Sequence, residues 1–140
     1  MSIIRIPLRF TGSKGEKMVY ALFDSGATYS CLNMDVAHEI ETPTKLYEPM
    51  EIGTASSSHC VVIEEAMRAD FYHEYIRLSD EFMVVPGLSE EAIIGVNTLQ
   101  KWRIKLDFEH DKVIINPKVA EHMIKDLKAL KDMWKPNSKR

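Results

Sequence analysis

The stretch Ala21-Leu22-Phe23-Asp24-Ser25-Gly26-Ala27-Thr28 constrains the chain more than any other. An apolar run ends on a single carboxylate and passes at once into small, turn-prone residues. A carboxylate beside buried strand residues is costly unless it is hydrogen-bonded or shares a proton. Ser25 offers a hydroxyl, and Gly26 a backbone N–H that no side chain shields. The pattern predicts a strand into Asp24, a turn, and a second strand running through Tyr29-Ser30-Cys31-Leu32-Asn33.

The flanking residues predict β structure. Ile4, Ile6, Leu8 and Phe10 alternate with Arg5, Pro7 and Arg9, the period of a half-buried strand. Pro7 belongs on an unpaired edge, or with its missing donor pointing outward. Gly12 and Gly15 supply a reversal, so the chain opens as a hairpin aimed at Asp24. Asn33 is placed to cap a short helix with Val36, Ala37 and Ile40 on one face, and Thr42-Pro43-Thr44 stops it. Residues 46–63 read as strand, small polar tip, strand. Met67, Ala69 and Phe71 alternate, and Phe82-Met83-Val84-Val85 is a short buried strand.

Downstream, Ala92-Ile93-Ile94-Gly95 is an apolar run ending on a glycine, where a second backbone can pass closely. Val96 to Trp102 suits one or two helical turns. Ile104, Leu106 and Phe108, then Val113, Ile114 and Ile115, predict a closing hairpin through a turn at Glu109-His110-Asp111.

The Asp24-Ser25-Gly26-Ala27 segment resembles the active-site loop of retropepsin-like aspartic proteases. The second match is Ile93-Ile94-Gly95 followed by a short helix, about seventy residues on. The resemblance covers roughly residues 3–117. It implies a mostly β, closed, barrel-like fold with one or two short helices, and Asp24 as the catalytic residue. It gives Ser25 a hydrogen bond across a two-fold axis, Gly26 a close approach to substrate backbone, and Ala27 and Thr28 the floor of the site; Thr28 reads equally well as a strand residue only. Ile93, Ile94 and Gly95 support the loop from beneath. Residues 46–63 take the place of the flap that closes over substrate, with Thr54 and Ala55 as its candidate contacts; apart from the resemblance, that segment reads as an ordinary polar loop.

Carboxylate-driven peptide hydrolysis needs two acids, one ionised to take a proton from water and one protonated to polarise the carbonyl. Carboxyls about 3 Å apart cannot both ionise cheaply and hold one proton between them. The chain has a single Asp-Ser-Gly; Asp35, Asp70, Asp80, Asp107, Asp111, Asp126 and Asp132 lack that context. Chemistry and resemblance thus agree on a homodimer that contributes Asp24 from each chain. The expected substrate is an extended peptide paired through its backbone. Two other readings stand beside this one: an inactive retropepsin-like module that dimerises or binds peptide, and a small all-β binding domain whose Asp24 only forms a turn.

Composition narrows the rest. A length of 140 residues predicts one domain, residues 1–117, with an extension over 118–140. In that extension Met123, Leu127, Leu130 and Trp134 share one side of an amphipathic C-terminal helix, and Lys125, Lys128 and Lys131 lie on another. Seven Lys/Arg against three Asp/Glu give the extension +4, which leaves −7 on residues 1–117 of a total of −3. That balance gives no reason to expect nucleic acid. No apolar run nears the ~18 residues of a membrane span. Cys31 and Cys60 make no disulfide framework, and the N-terminus lacks a signal-peptide block, so a cytoplasmic, reducing setting is expected. His38, His59, His73, His110 and His122 have no zinc-ligand spacing with each other or with the cysteines, and no phosphate-binding glycine loop is present. No metal or other cofactor is expected.

Overall fold

The computed structural model describes residues 3–53 and 60–120. The chain runs β1 (Ile4–Gly12), β2 (Gly15–Phe23), β3 (Cys31–Asn33), α1 (Met34–Ile40), β4 (Thr44–Gly53), β5 (Cys60–His73) and β6 (Ile76–Val85). Then come β7 (Ala92–Ile94), α2 (Val96–Lys101), β8 (Lys105–Asp107), β9 (Lys112–Ile114) and a 3-10 turn, Pro117–Ala120. The expected C-terminal amphipathic helix, with Trp134 and its neighbours, lies outside the described residues, as do Thr54 and Ala55.

Six strands form a closed barrel in the order β1-β2-β7-β3-β6-β5, with β5 returning to β1. Closure uses Arg9↔Tyr72, Phe10↔Phe71 and Thr11↔Asp70. Most neighbours are antiparallel, but β2–β7 and β3–β6 are parallel. Strand β4 hangs from β5 outside the closed ring, and its register shifts between Lys45 and Met50. The β8–β9 hairpin is a separate two-stranded sheet. Among the described residues no helix is long and apolar enough to cross a membrane.

Alternation sets the core. Ile4, Leu8 and Phe10 point inward with Val19, Ala21 and Phe23 of β2, and all are buried. Phe10, Phe71 and Phe82 meet at its centre with ring centroids 5.3–5.6 Å apart, two of the three pairs edge-on, the geometry the ring quadrupoles favour. A second apolar cluster forms around Ile63, Ala66, Met83 and Val85. Tyr29, Cys31, Met50, Ile52 and Val61 pack on it, so the base of the β4–β5 hairpin is seated against β3 and β6.

Local signals explain the element ends. Asn33 Oδ1 accepts from the N–H groups of Asp35 and Val36, which starts α1, and Val36, Ala37 and Ile40 are its buried residues. Tyr20 gives its N–H to Glu91 Oε1 at 2.8 Å, not to its cross-strand partner Pro7. The two are therefore a non-hydrogen-bonded pair, and the donor that Pro7 lacks would face away from β2. On that side β5 meets β1 only at Arg9–Thr11.

Three details differ from the sequence reading. Strand β3 begins at Cys31, not Tyr29: its ladder to β6 starts at the Ser30 carbonyl, which accepts from Met83 N–H, and the Tyr29 backbone packs against Gly95 instead. Strands β5 and β6 are long and continuous where the sequence showed broken patterns. Phe108 lies past the end of β8 and is 44% exposed, since Asp107 Oδ1 accepts from the N–H groups of Glu109 and His110 and turns the chain there.

Candidate active site

Strand β2 delivers Asp24 to the end of the barrel. Leu22 and Phe23 pair in parallel with Ile93 and Ile94, and the Asp24 N–H continues that ladder to the Ile94 carbonyl at 2.9 Å. The chain then turns sharply. Gly26 N–H donates to Asp24 Oδ1 at 2.8 Å, and Ala27 N–H to the Asp24 carbonyl at 3.1 Å. The carboxylate is thus held by its own loop while remaining half-buried, beside exposed Ser25 and Gly26. A Cβ on residue 26 would sit 3.2 Å from Asp24 Oδ1, so only glycine leaves that oxygen uncrowded.

The second motif lies directly beneath. Val96 N–H donates to the Ala27 carbonyl at 2.7 Å and Asn97 N–H to the Thr28 carbonyl at 3.3 Å. Gly95 is wedged under the loop: a Cβ there would meet the carbonyl oxygens of Tyr29 at 2.5 Å and Ala27 at 2.8 Å. Ile94 is fully buried in the barrel core, while Ile93 is half-buried. The fold therefore brings Asp24, Ser25, Gly26, Ala27 and Thr28 together with Ile93, Ile94 and Gly95.

Two functional candidates escaped the sequence reading. Among the described residues, Ser30 and Thr98 are the buried polar residues of the core, 3% and 1% exposed. Their hydroxyl oxygens lie 2.5 Å apart, and Ser30 Oγ also accepts the Gly95 N–H at 2.9 Å. Nothing in local sequence distinguishes them, because the pairing spans 68 residues. Beside the loop, an open apolar groove of about 500 Å³ runs past Ser25, Val96, Leu99, Leu106 and Phe108.

Other titratable groups serve the frame. Arg5 grips Glu90 through two bonds of 2.9 and 2.7 Å and holds its carboxyl below the usual range. His38 bonds to Glu65 at 3.0 Å. Cys31 Sγ lies 3.8 Å from the Tyr29 carbonyl, and burial pushes this thiol up to about 11. Among the described residues one group could offer metal ligands, Asp107, Glu109 and His110 in the β8–β9 turn, with ligand atoms within 4.8 Å of one another. The His110 Nδ1 and Asp107 Oδ2 are already bonded to each other at 2.9 Å.

No family model and no curated protein matches the chain. Solved structures do. The chain is similar to the retroviral protease-like domain of Ddi1 from Leishmania major, with a TM-score of 0.61 and 19% identity over 83% of this chain and 90% of that one. It is also similar to the EIAV protease complexed with the inhibitor HBY-793, with a TM-score of 0.55 and 16% identity over 74% of this chain and 90% of that one. At such identities the likeness speaks for architecture, and it agrees with the closed barrel and its paired loop motifs: the chain has the retropepsin-like fold.

Proposed function

We propose that the chain is an aspartic endopeptidase that hydrolyses peptide bonds as a homodimer. The observation that carries this reading is the Asp24 loop: a half-buried carboxylate at the end of β2, fixed by Gly26 N–H and braced from below by Ile94, Val96 and Gly95. A hydrogen-bonded, rigidly supported acid is what hydrolysis by activated water demands. One such acid per chain requires a second chain to complete the pair.

In the proposed reaction one Asp24 carboxylate takes a proton from a water held between the two chains. The partner's Asp24, protonated, donates to the scissile carbonyl oxygen as the water oxygen attacks its carbon. As the C–N bond of the tetrahedral diol breaks, the amine takes the proton held by the first Asp24 and one diol hydroxyl returns its proton to the partner's Asp24, which restores the singly protonated pair. No metal ion or other cofactor enters these steps. Ser25 is placed to bond across the axis. Thr54 and Ala55 are proposed to close over an extended peptide that adds to the site as a strand. The catalytic domain is assigned to residues 1–117 and an extension to 118–140. Free Cys31 and Cys60 fit a reducing, cytoplasmic setting.

The test is cleavage of a peptide library between acidic and neutral pH by the wild type and by Asp24→Asn. Cleavage by the wild type alone supports the proposal; equal cleavage by both proteins refutes it. A second reading, an inactive module that dimerises or binds an extended peptide, is favoured by the same Gly26–Asp24 bond, because an aspartate satisfied by its own backbone also makes an ordinary turn. Peptide binding or dimerisation with no cleavage by the wild type would select it.

A further inference from the structure

The peptidase reading leaves a buried polar pair unexplained. Ser30 and Thr98 sit where an apolar pair of the same shape would fill the core without desolvating two hydroxyls. Their position is specific. Ser30 Oγ accepts the N–H of Gly95, the residue wedged under the Asp24 loop. Ser30's carbonyl accepts the N–H of Met83 from β6. Thr98 lies on α2, whose first two N–H groups hold the carbonyls of Ala27 and Thr28. One hydroxyl pair thus ties three segments: the strand that leaves the loop, the glycine beneath it and the helix that grips it.

We propose that Ser30 and Thr98 are positioning residues that set the height and tilt of the Asp24 loop through Gly95 and the first turn of α2. This rests on the peptidase reading for its consequence in catalysis, but not for its geometry. The buried pair fixes Gly95; Gly95 fixes how closely α2 approaches; and the N–H groups of Val96 and Asn97 then fix where Ala27 and Thr28 lie. The Gly26 N–H that orients Asp24 Oδ1 is two residues from the Asp24 carboxylate and one from Ala27, so a shift in the grip is read at Gly26. A purely structural pair would change global stability and leave the loop's own geometry unchanged.

The test compares Thr98→Val, which keeps the shape and removes the hydroxyl, with Thr98→Ser, which keeps the hydroxyl. Amide hydrogen exchange and the amide proton shift of Gly26 report the loop; Leu32 and Val84 report the barrel. Thr98→Val is expected to raise exchange at Gly26 and Val96 roughly tenfold while Leu32 and Val84 stay unchanged, and Thr98→Ser to restore wild-type values. Ser30→Ala, which also strips Gly95 N–H of its acceptor, is expected to act in the same direction and stands in if Thr98→Val does not fold. An unchanged Gly26, or a loss of protection spread evenly over the barrel, overturns the proposal. With peptide substrate, Thr98→Val should lower kcat about tenfold with KM little changed. A Gly26 effect in Thr98→Val, together with a wild type that cleaves nothing, upholds the positioning role and refutes the peptidase. Equal cleavage with an unmoved Gly26 refutes the positioning role and leaves the peptidase standing.

Discussion

Gly95 and Tyr29 are in backbone contact: a Cβ on Gly95 would lie 2.5 Å from the Tyr29 carbonyl oxygen and 2.7 Å from its carbon. The constraint is steric, since the Gly95 φ of −93° is open to any residue. Both partners are main chain, so neither can swing aside as a side chain could. Gly95→Ala should therefore push α2 away from the loop, at a loss of about 1–3 kcal/mol in urea unfolding. Peptide cleavage should fall more steeply than stability, because the displaced helix is what holds the Ala27 carbonyl. Wild-type stability and activity in this variant would show that the two backbones can part without consequence.

Subunit mixing tests the shared acid pair directly. When wild type and Asp24→Asn are equilibrated as dimers, only chains paired wild type to wild type hold two carboxyls. Activity should follow the square of the wild-type fraction, about one quarter at equal mixing. A linear decline to about one half would mean that each chain acts alone.

The cysteines should differ in reactivity. Cys60 is exposed, whereas Cys31 is largely covered by the second apolar cluster, and burial raises its thiol to about 11. The thiolate is the nucleophile, so at pH 8 on the order of one Cys31 in a thousand is reactive. Iodoacetamide should add one group to the native protein, at Cys60, and a second only in denaturant. Mass spectrometry reads both additions.

The Arg5–Glu90 pair predicts a small pH dependence. Arg5 lowers the Glu90 carboxyl in the folded state. The pair's stabilisation is therefore complete above the ordinary carboxylate range, about 4.3, and is lost as pH falls through the depressed folded value. Arg5 is 47% exposed, so solvent screens the pair. Glu90→Gln should cost under about 1 kcal/mol at pH 7, less at high salt, and nothing once Glu90 is protonated. Thermal unfolding of both proteins between pH 7 and 2.5 checks the convergence.

Much of this architecture is legible in local sequence. The β1–β2 hairpin, the Asn33 cap and the Asp24 turn each depend on a residue type acting on near neighbours, and Gly95 was marked as a point of close approach by the apolar run it ends, though not which backbone it would meet. Ser30 and Thr98 were not legible, because a hydroxyl shows no preference for a partner 68 positions away until the fold has brought it there. The length of β5 was hidden for a related reason. Its first part pairs with β4, its later part with β1, and most of its other edge with β6, so no single alternation governs all of it. Phe108 was misjudged because the carboxylate of Asp107 ends the strand one residue before it.

The ring of strands is sealed by three residue pairs, Arg9–Thr11 against Asp70–Tyr72, some sixty positions apart in the chain. Such a seam forms late, because distant segments must meet before any pairing energy is gained. Pulled from the ends of β1 and β5, this three-pair seam should part well before the nine-pair ladder between β1 and β2, while the rings of Phe10, Phe71 and Phe82 still hold the centre.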